Sequence, residues 1–279
     1  MEANKQKVQK VQKQKTAKVR GKGANAFIII LGCAAVAFTF FYWYCALPFH
    51  FNEKGMPADD FGTLYKGGWV IPCVITLLLT VISLSIERAF ALNRCSGKGS
   101  ATKFVIDAKK KLEDGDIEGA VKLCDTQKGS VANILRAGLI RYKDVEQIEG
   151  LNNAGKADMI TAEIEEATTL ELPYLEKNMN IIAAISTLGT LFGLFGTVLG
   201  MIRSFGAMGA DGGVIDSTAI AVGISEALLN TALGIATGAL AIISYTYFSG
   251  RIQDMTNAVD EIGFAIGQTY TEKHGGLTK

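Results

Sequence analysis

Charge is absent from long parts of this chain. Residues 24–47, 69–86 and 178–202 carry no charged side chain, and residues 217–249 carry only Glu226. Each run has about 18 residues or more, the length an α-helix needs to cross a bilayer core of about 30 Å. The pattern predicts an all-α membrane protein with four transmembrane helices, the last two extended. The first run ends in "FFYWYCALPF" rather than at a small-residue cleavage site, so it reads as a retained anchor with an aromatic belt and not as a signal peptide.

Between the second and third runs the period changes to that of amphipathic helices. Phe104, Ala108 and Leu112 share one face, and Val131, Ile134, Leu135, Gly138 and Leu139 share another. Asp116 is placed to cap the helix that follows the turn at Gly115. A long acidic helix follows, in which Pro173 should make a kink or a joint. Some 80 residues of such hairpins are short for a catalytic domain and suit a collar carried by the membrane helices.

Basic residues orient the helices. Residues 1–23 hold seven Lys and one Arg, and residues 93–177 hold thirteen basic residues, whereas 48–67 hold only Lys54 and Lys66 and 207–216 hold none. The excess marks the cytoplasmic side. The expected order is a basic cytoplasmic tail (1–23), transmembrane helix 1 (24–47), a periplasmic loop (48–67), helix 2 (68–92), a helical cytoplasmic domain (93–177), helix 3 (178–206), a periplasmic loop (207–215), helix 4 (216–249) and a cytoplasmic tail (250–279). Beside a membrane helix the basic tail reads as a topology signal that attracts anionic lipid, and no nucleic-acid partner is expected.

Two of the four helices carry unusual patterns. Gly189, Gly193, Gly196 and Gly200 fall within about 60° of one another on helix 3. Hydrophobic burial does not drive helices together in lipid, whereas close backbone approach does, so the stripe predicts an association surface sealing a homo-oligomer. Thr190 and Thr197 form a second stripe beside it. On helix 4, Glu226, Asn230, Thr237 and Ser244 lie within about 40° of one another, next to a small-residue face of Ala227, Thr231, Gly234 and Gly238. A threonine in such a helix can simply bond the carbonyl one turn back. Glu226 can sit at the outer interface, or in the membrane as part of an ion path or partner contact. Together the helices suggest a packed assembly around a narrow polar path.

At these residues the sequence resembles the ExbB/TolQ/MotA family of proton-channel subunits, closest to ExbB and TolQ. The matching blocks are "SIERAFALNR" (85–94), "GDIEGAVKLCDTQKGSVANILRAGL" (115–139), "LFGLFGTVLGMIRSF" (191–205) and "GISEALLNTALGI" (223–235). The resemblance implies a homo-oligomeric ring, a pentamer, in the bacterial inner membrane, with its last two helices lining the pore. It implies two single-helix ExbD- or TolR-like subunits inside the ring and a TonB- or TolA-like protein that receives the energy. Thr197 matches the threonine of the family's "GTV" motif, and Glu226 and Thr231 match a glutamate and the threonine five residues after it; all three belong to the family's proton path. Thr190, Asn230 and Thr237 join them as pore-lining candidates on position alone, and Gly189, Gly193, Gly196, Gly200, Gly234 and Gly238 are the helix-packing candidates. Helix 1 is an addition relative to ExbB and TolQ and gives the four spans of MotA-type flagellar stators, Asn230 replaces a usual small apolar residue, and Val222 replaces a frequent proline, so TolQ-like envelope-integrity and gliding- or flagellar-stator roles stand as alternatives to the ExbB-like one.

Other classes fare worse. An intramembrane hydrolase needs a nucleophile with a base or a second carboxylate, yet His50 and His274 fall outside the predicted helices and the four spans offer one carboxylate. A structural four-span scaffold would not need aligned polar tracks. Cys33, Cys45, Cys73, Cys95 and Cys124 are scattered without a CxxC pair and read as reduced thiols. No cofactor or metal is expected.

Overall fold

The computed structural model describes residues 25–53, 56–99, 101–210 and 217–275. The basic tail at 1–23, residues 211–215 of the expected loop at 207–215, and residues 276–279 of the C-terminal tail lie outside the described residues. The helices are α1 (Ala26–Thr39, continued by a π-turn at Phe40–Tyr44), α2 (Asp60–Lys66), α3 (Val70–Ser96), α4 (Ala101–Glu113), α5 (Ile117–Gln127), α6 (Ser130–Glu146), α7 (Asn153–Leu175), α8 (Met179–Ala210) and α9 (Ser217–Gly275). Among the described residues the only β pairing is the single bridge Phe51–Pro57. Four helical stretches are long and apolar enough to span a membrane: Ala26–Tyr44, Val70–Ser96, Met179–Gly206 and Ile220–Glu272. The chain is an all-α, multi-pass membrane protein.

It divides into two compact units. An apolar unit comprises Ala24–Arg88 and Asn178–Phe248, and a more polar unit includes Ala89–Lys177 and Ser249–Lys279. In the apolar unit large side chains face outward: Phe27, Trp43, Ile202 and Ile243 are 71%, 76%, 62% and 66% exposed. That is how helices solvated by lipid tails behave, since for them water, not hydrocarbon, is the poor solvent.

The segment expected as a loop at 48–67 is folded. A 3-10 turn at Pro48–His50 leads to the Phe51–Pro57 bridge and then to α2. The Asp59 carboxylate caps α2 by accepting from the Gly62 N–H at 2.9 Å, and its other oxygen lies 2.5 Å from His50 Nδ1. Phe41 at the end of α1 stacks on Tyr65 of α2, ring centres 5.3 Å apart, which ties α1 to this cap. Farther along α3, the buried Arg88 reaches Glu87 through Nε and Nη2, both at 2.6 Å. Asn178 Nδ2 also donates to Glu87, at 3.3 Å. A buried guanidinium is tolerated because its charge is paired and hydrogen-bonded.

The polar unit packs α4–α7 with the final part of α9. Gly97 and Gly129 show why its turns need glycine. Gly97 has φ +82° and a Cβ there would stand 1.9 Å from Lys128 O, while one on Gly129 would stand 2.3 Å from Cys95 O. Asp116 caps α5 as expected, accepting from the Gly119 N–H at 2.8 Å. The Lys111 ammonium beside it, with that N–H, holds its carboxyl below the usual range. Tyr142 and Tyr270 meet edge to face at 5.0 Å, and burial pushes the Tyr142 hydroxyl up to about 12. Pro173 lies inside α7, which runs on to Leu175. The joint falls just after it, where Asn178 adopts φ +64° before α8 begins.

Candidate functional site

The site is built on the antiparallel pair α8 and α9. Close approaches run along α8 from Gly189 to Gly200. A Cβ on Gly189 would stand 3.1 Å from Gly238 N, one on Gly193 2.9 Å from Gly234 Cα, one on Gly196 2.6 Å from Asn230 Cβ, and one on Gly200 2.7 Å from Ala227 Cβ. The reverse holds for Gly234, whose Cβ would meet Gly193 Cα at 2.5 Å, and for Gly238, whose Cβ would meet the Thr190 hydroxyl at 2.7 Å. The glycine face expected to join separate copies of the chain is therefore occupied by α9 of the same chain. Close backbone approach is the reason for the glycines, but the seam it makes is internal.

At one edge of this seam Thr197 and Thr231 place their hydroxyl oxygens 2.7 Å apart. Thr197 Oγ1 also lies 2.9 Å from Leu194 O and 3.3 Å from Gly193 O, and Thr231 Oγ1 lies 3.2 Å from Gly193 O across the seam. Each hydroxyl has one proton to give. Two arrangements result. Either Thr231 donates to Thr197 and Thr197 donates to Leu194 O, or Thr197 donates to Thr231 and Thr231 donates to Gly193 O. Both threonines are only partly buried, so each keeps acceptor capacity toward the outside of the pair. Thr190 continues this edge. It is exposed and donates to Ser186 O at 3.3 Å.

The other polar candidates face elsewhere. Thr231 lies about 140° around α9 from Glu226, at about 100° per residue. Glu226 is 9% exposed, Asn230 1% and Thr237 0%. Thr237 donates to Leu233 O within its own helix at 2.8 Å. Asn230 donates to Gly67 O at 3.4 Å, in the turn between α2 and α3. Among the described residues Glu226 forms no ion pair; Lys66 of α2 and Arg203 of α8 are cations whose charge reaches it. The expected single path thus separates into a hydroxyl pair at one edge of the glycine seam and a buried row, Glu226–Asn230–Thr237, at the other.

Sequence reasoning missed Lys66, Gly67, Gly68 and Arg203. The adjacent "KGG" is a turn signal, and Arg203 is the first charge after a long apolar run, but only the fold brings Gly67 to Asn230 and Gly68 to Arg203. Among the described residues no group of three His, Cys, Asp or Glu side chains is placed to hold a metal ion.

Residues 127–261 match the MotA/TolQ/ExbB proton channel family. The Tol-Pal system protein TolQ of Pseudomonas aeruginosa is 31% identical over 182 residues, 63% of this chain and 78% of that protein. An ExbB homolog of Methanothermobacter thermautotrophicus, described as a biopolymer transport protein, is 25% identical over 195 residues, 68% of this chain and 64% of that protein. The biopolymer transport protein ExbB of Salmonella typhimurium is 28% identical over 147 residues, 52% of this chain and 60% of that protein.

Proposed function

This chain belongs to the MotA/TolQ/ExbB proton channel family, and on that premise we propose that it is the proton-channel subunit of an inner-membrane motor. Several copies, five by the family resemblance, form a ring around two single-helix ExbD- or TolR-like subunits. The ring passes the energy of proton flow to a TonB- or TolA-like protein, and this chain performs no covalent catalysis. Both termini lie in the cytoplasm. Each proton crossing the membrane releases about 2.3 kcal/mol per 100 mV of potential.

The observation that carries this reading is the Thr197–Thr231 pair, two hydroxyls 2.7 Å apart at a partly open edge of a helix pair otherwise closed by glycine. Its two donor arrangements differ in which threonine donates to the other and in which carbonyl accepts the remaining hydroxyl. A hydroxyl pair of this kind can pass or orient a proton without holding it, which suits a path whose titrating group is supplied by a partner helix. Thr190 extends the same edge, and Glu226, Asn230 and Thr237 support it from the buried side. Thr197→Val and Thr231→Val keep the shape and remove one hydroxyl each. Each should lower proton-driven output in cells roughly three- to tenfold, about the worth of one hydrogen bond, with the protein at normal level. Full activity in both variants would overturn the assignment.

A second reading changes only the driven partner. The TolQ match extends over 182 residues and the two ExbB matches over 195 and 147, so a TolA-like partner with envelope maintenance and a TonB-like partner with cargo uptake both accord with the family. Growth of a deletion strain on detergent, against uptake of an outer-membrane cargo, separates the two.

A further inference from the structure

The turn that joins α2 to α3 is gripped from two sides. Asn230 of α9 donates to Gly67 O at 3.4 Å, and its Oδ1 lies 3.1 Å from where a Cβ on Gly67 would stand. The Arg203 guanidinium of α8 covers Gly68, with both terminal nitrogens 2.8 Å from a Cβ position there, and Gly68 has φ +81°. A Cβ on Gly67 would press on Ile71 and Asn230 and one on Gly68 on the Arg203 guanidinium, and Gly68 has a backbone that other residues avoid. Lys66 is the residue just before the gripped turn. Glu226 lies one helical turn from Asn230 on the same face of α9, about 6 Å along the axis. A turn fixed at Asn230 therefore holds Lys66, exposed and not ion-paired with Glu226, toward the Glu226 end of α9, where its charge and that of Arg203 act on the carboxylate at a distance.

We propose that Asn230 and Arg203 clamp the Gly67–Gly68 turn and so hold Lys66 toward Glu226, making the α2 cap part of the electrostatic environment of the channel. This rests on the channel reading for its consequence in the cell, but not for the clamp itself. Asn230 and Arg203 are positioning residues. The Nδ2 of the amide at 230 has its partner in the turn, at Gly67 O.

The test is a double-mutant cycle on the full-length chain, purified in detergent, with the unfolding midpoint as readout. Lys66→Gln and Glu226→Gln are combined in the parent chain and again in Asn230→Leu, which keeps Cβ against Gly196 and removes the amide. In the parent the two changes should be non-additive by a few degrees, the behaviour of groups coupled in one network. In Asn230→Leu they should add. Additivity in the parent overturns the proposal, and so does non-additivity that survives in Asn230→Leu. Asn230→Ser provides the same comparison if Asn230→Leu does not fold. In cells, Lys66→Gln should reduce proton-driven output when Glu226 is present and have no further effect in Glu226→Gln. If the cycle behaves as expected while Thr197→Val and Thr231→Val remain fully active, the clamp stands and the channel assignment falls.

Discussion

Thr231 differs from its neighbours in where its proton can go. Thr190 and Thr237 each donate to a carbonyl of their own helix, the ordinary behaviour of threonine in a membrane helix. Thr231 instead reaches across the seam, to Gly193 O and to the Thr197 hydroxyl. The sequence motifs pointed to both residues, but no spacing rule relates positions 34 apart on two helices. Nor could the sequence separate Asn230 from the threonines, because a helical wheel records direction and not which neighbour lies there. Cys124 gives a residue-scale prediction away from the seam. Burial pushes its thiol up to about 12, Asp125 adds to the rise, and Arg136 opposes it. The thiolate is the reactive form. Cys124 in the folded chain should therefore resist iodoacetamide at pH 8 and react once the chain is unfolded. The same shift means that the folded state holds the proton between the ordinary value of 9.0 and about 12 while the unfolded state has lost it. The contribution of Cys124 to stability is thus complete below pH 9 and declines above it. Rapid alkylation of Cys124 in the folded chain would show that the packing over α5 opens readily.

At the scale of elements, glycine on α8 is explained by what opposes it. A single glycine costs an exposed helix about 1 kcal/mol relative to alanine, so replacing one should help unless its hydrogen atoms touch something. Gly250 of α9 has open space where a Cβ would go, whereas a Cβ on Gly193 would stand 2.9 Å from Gly234 Cα, a backbone atom that cannot swing aside. Gly250→Ala should leave the unfolding midpoint unchanged or raise it. Gly193→Ala should lower it by the equivalent of about 1–3 kcal/mol, the usual cost of overpacking. Equal effects from the two would mean that the seam is looser than the close approaches require. The periodic stripe was legible in the sequence because it has one direction on one helix. Its partner was not, since a stripe says that something comes close without saying whether it belongs to the same chain. Pro173 shows the same limit. Its missing N–H weakens α7 locally, yet the helix continues to Leu175 and the break falls at Asn178, where a left-handed residue and a bond to Glu87 coincide.

For the molecule as a whole, the four spans were readable because length and charge alone define them, and hydrocarbon leaves few alternatives to a helix. The folded cap at 48–67 was not readable, since its order depends on contacts such as Phe41 with Tyr65 and His50 with Asp59. The same charge pattern makes a definite statement about orientation. The connection between the first two spans carries two basic residues, whereas residues 93–177 carry thirteen. Positive segments stay in the cytoplasm, so the cap should face outward and the 93–177 segment inward. Asp60 and Lys122 are both exposed and can report it. In a chain whose native cysteines are replaced by serine or alanine, Asp60→Cys should react with a membrane-impermeant maleimide added to intact cells. Lys122→Cys should react only after the cells are opened. The reversed result would place Lys66 and Glu226 at the cytoplasmic mouth of the path, so that protons entering from outside would meet the threonine pair before the carboxylate.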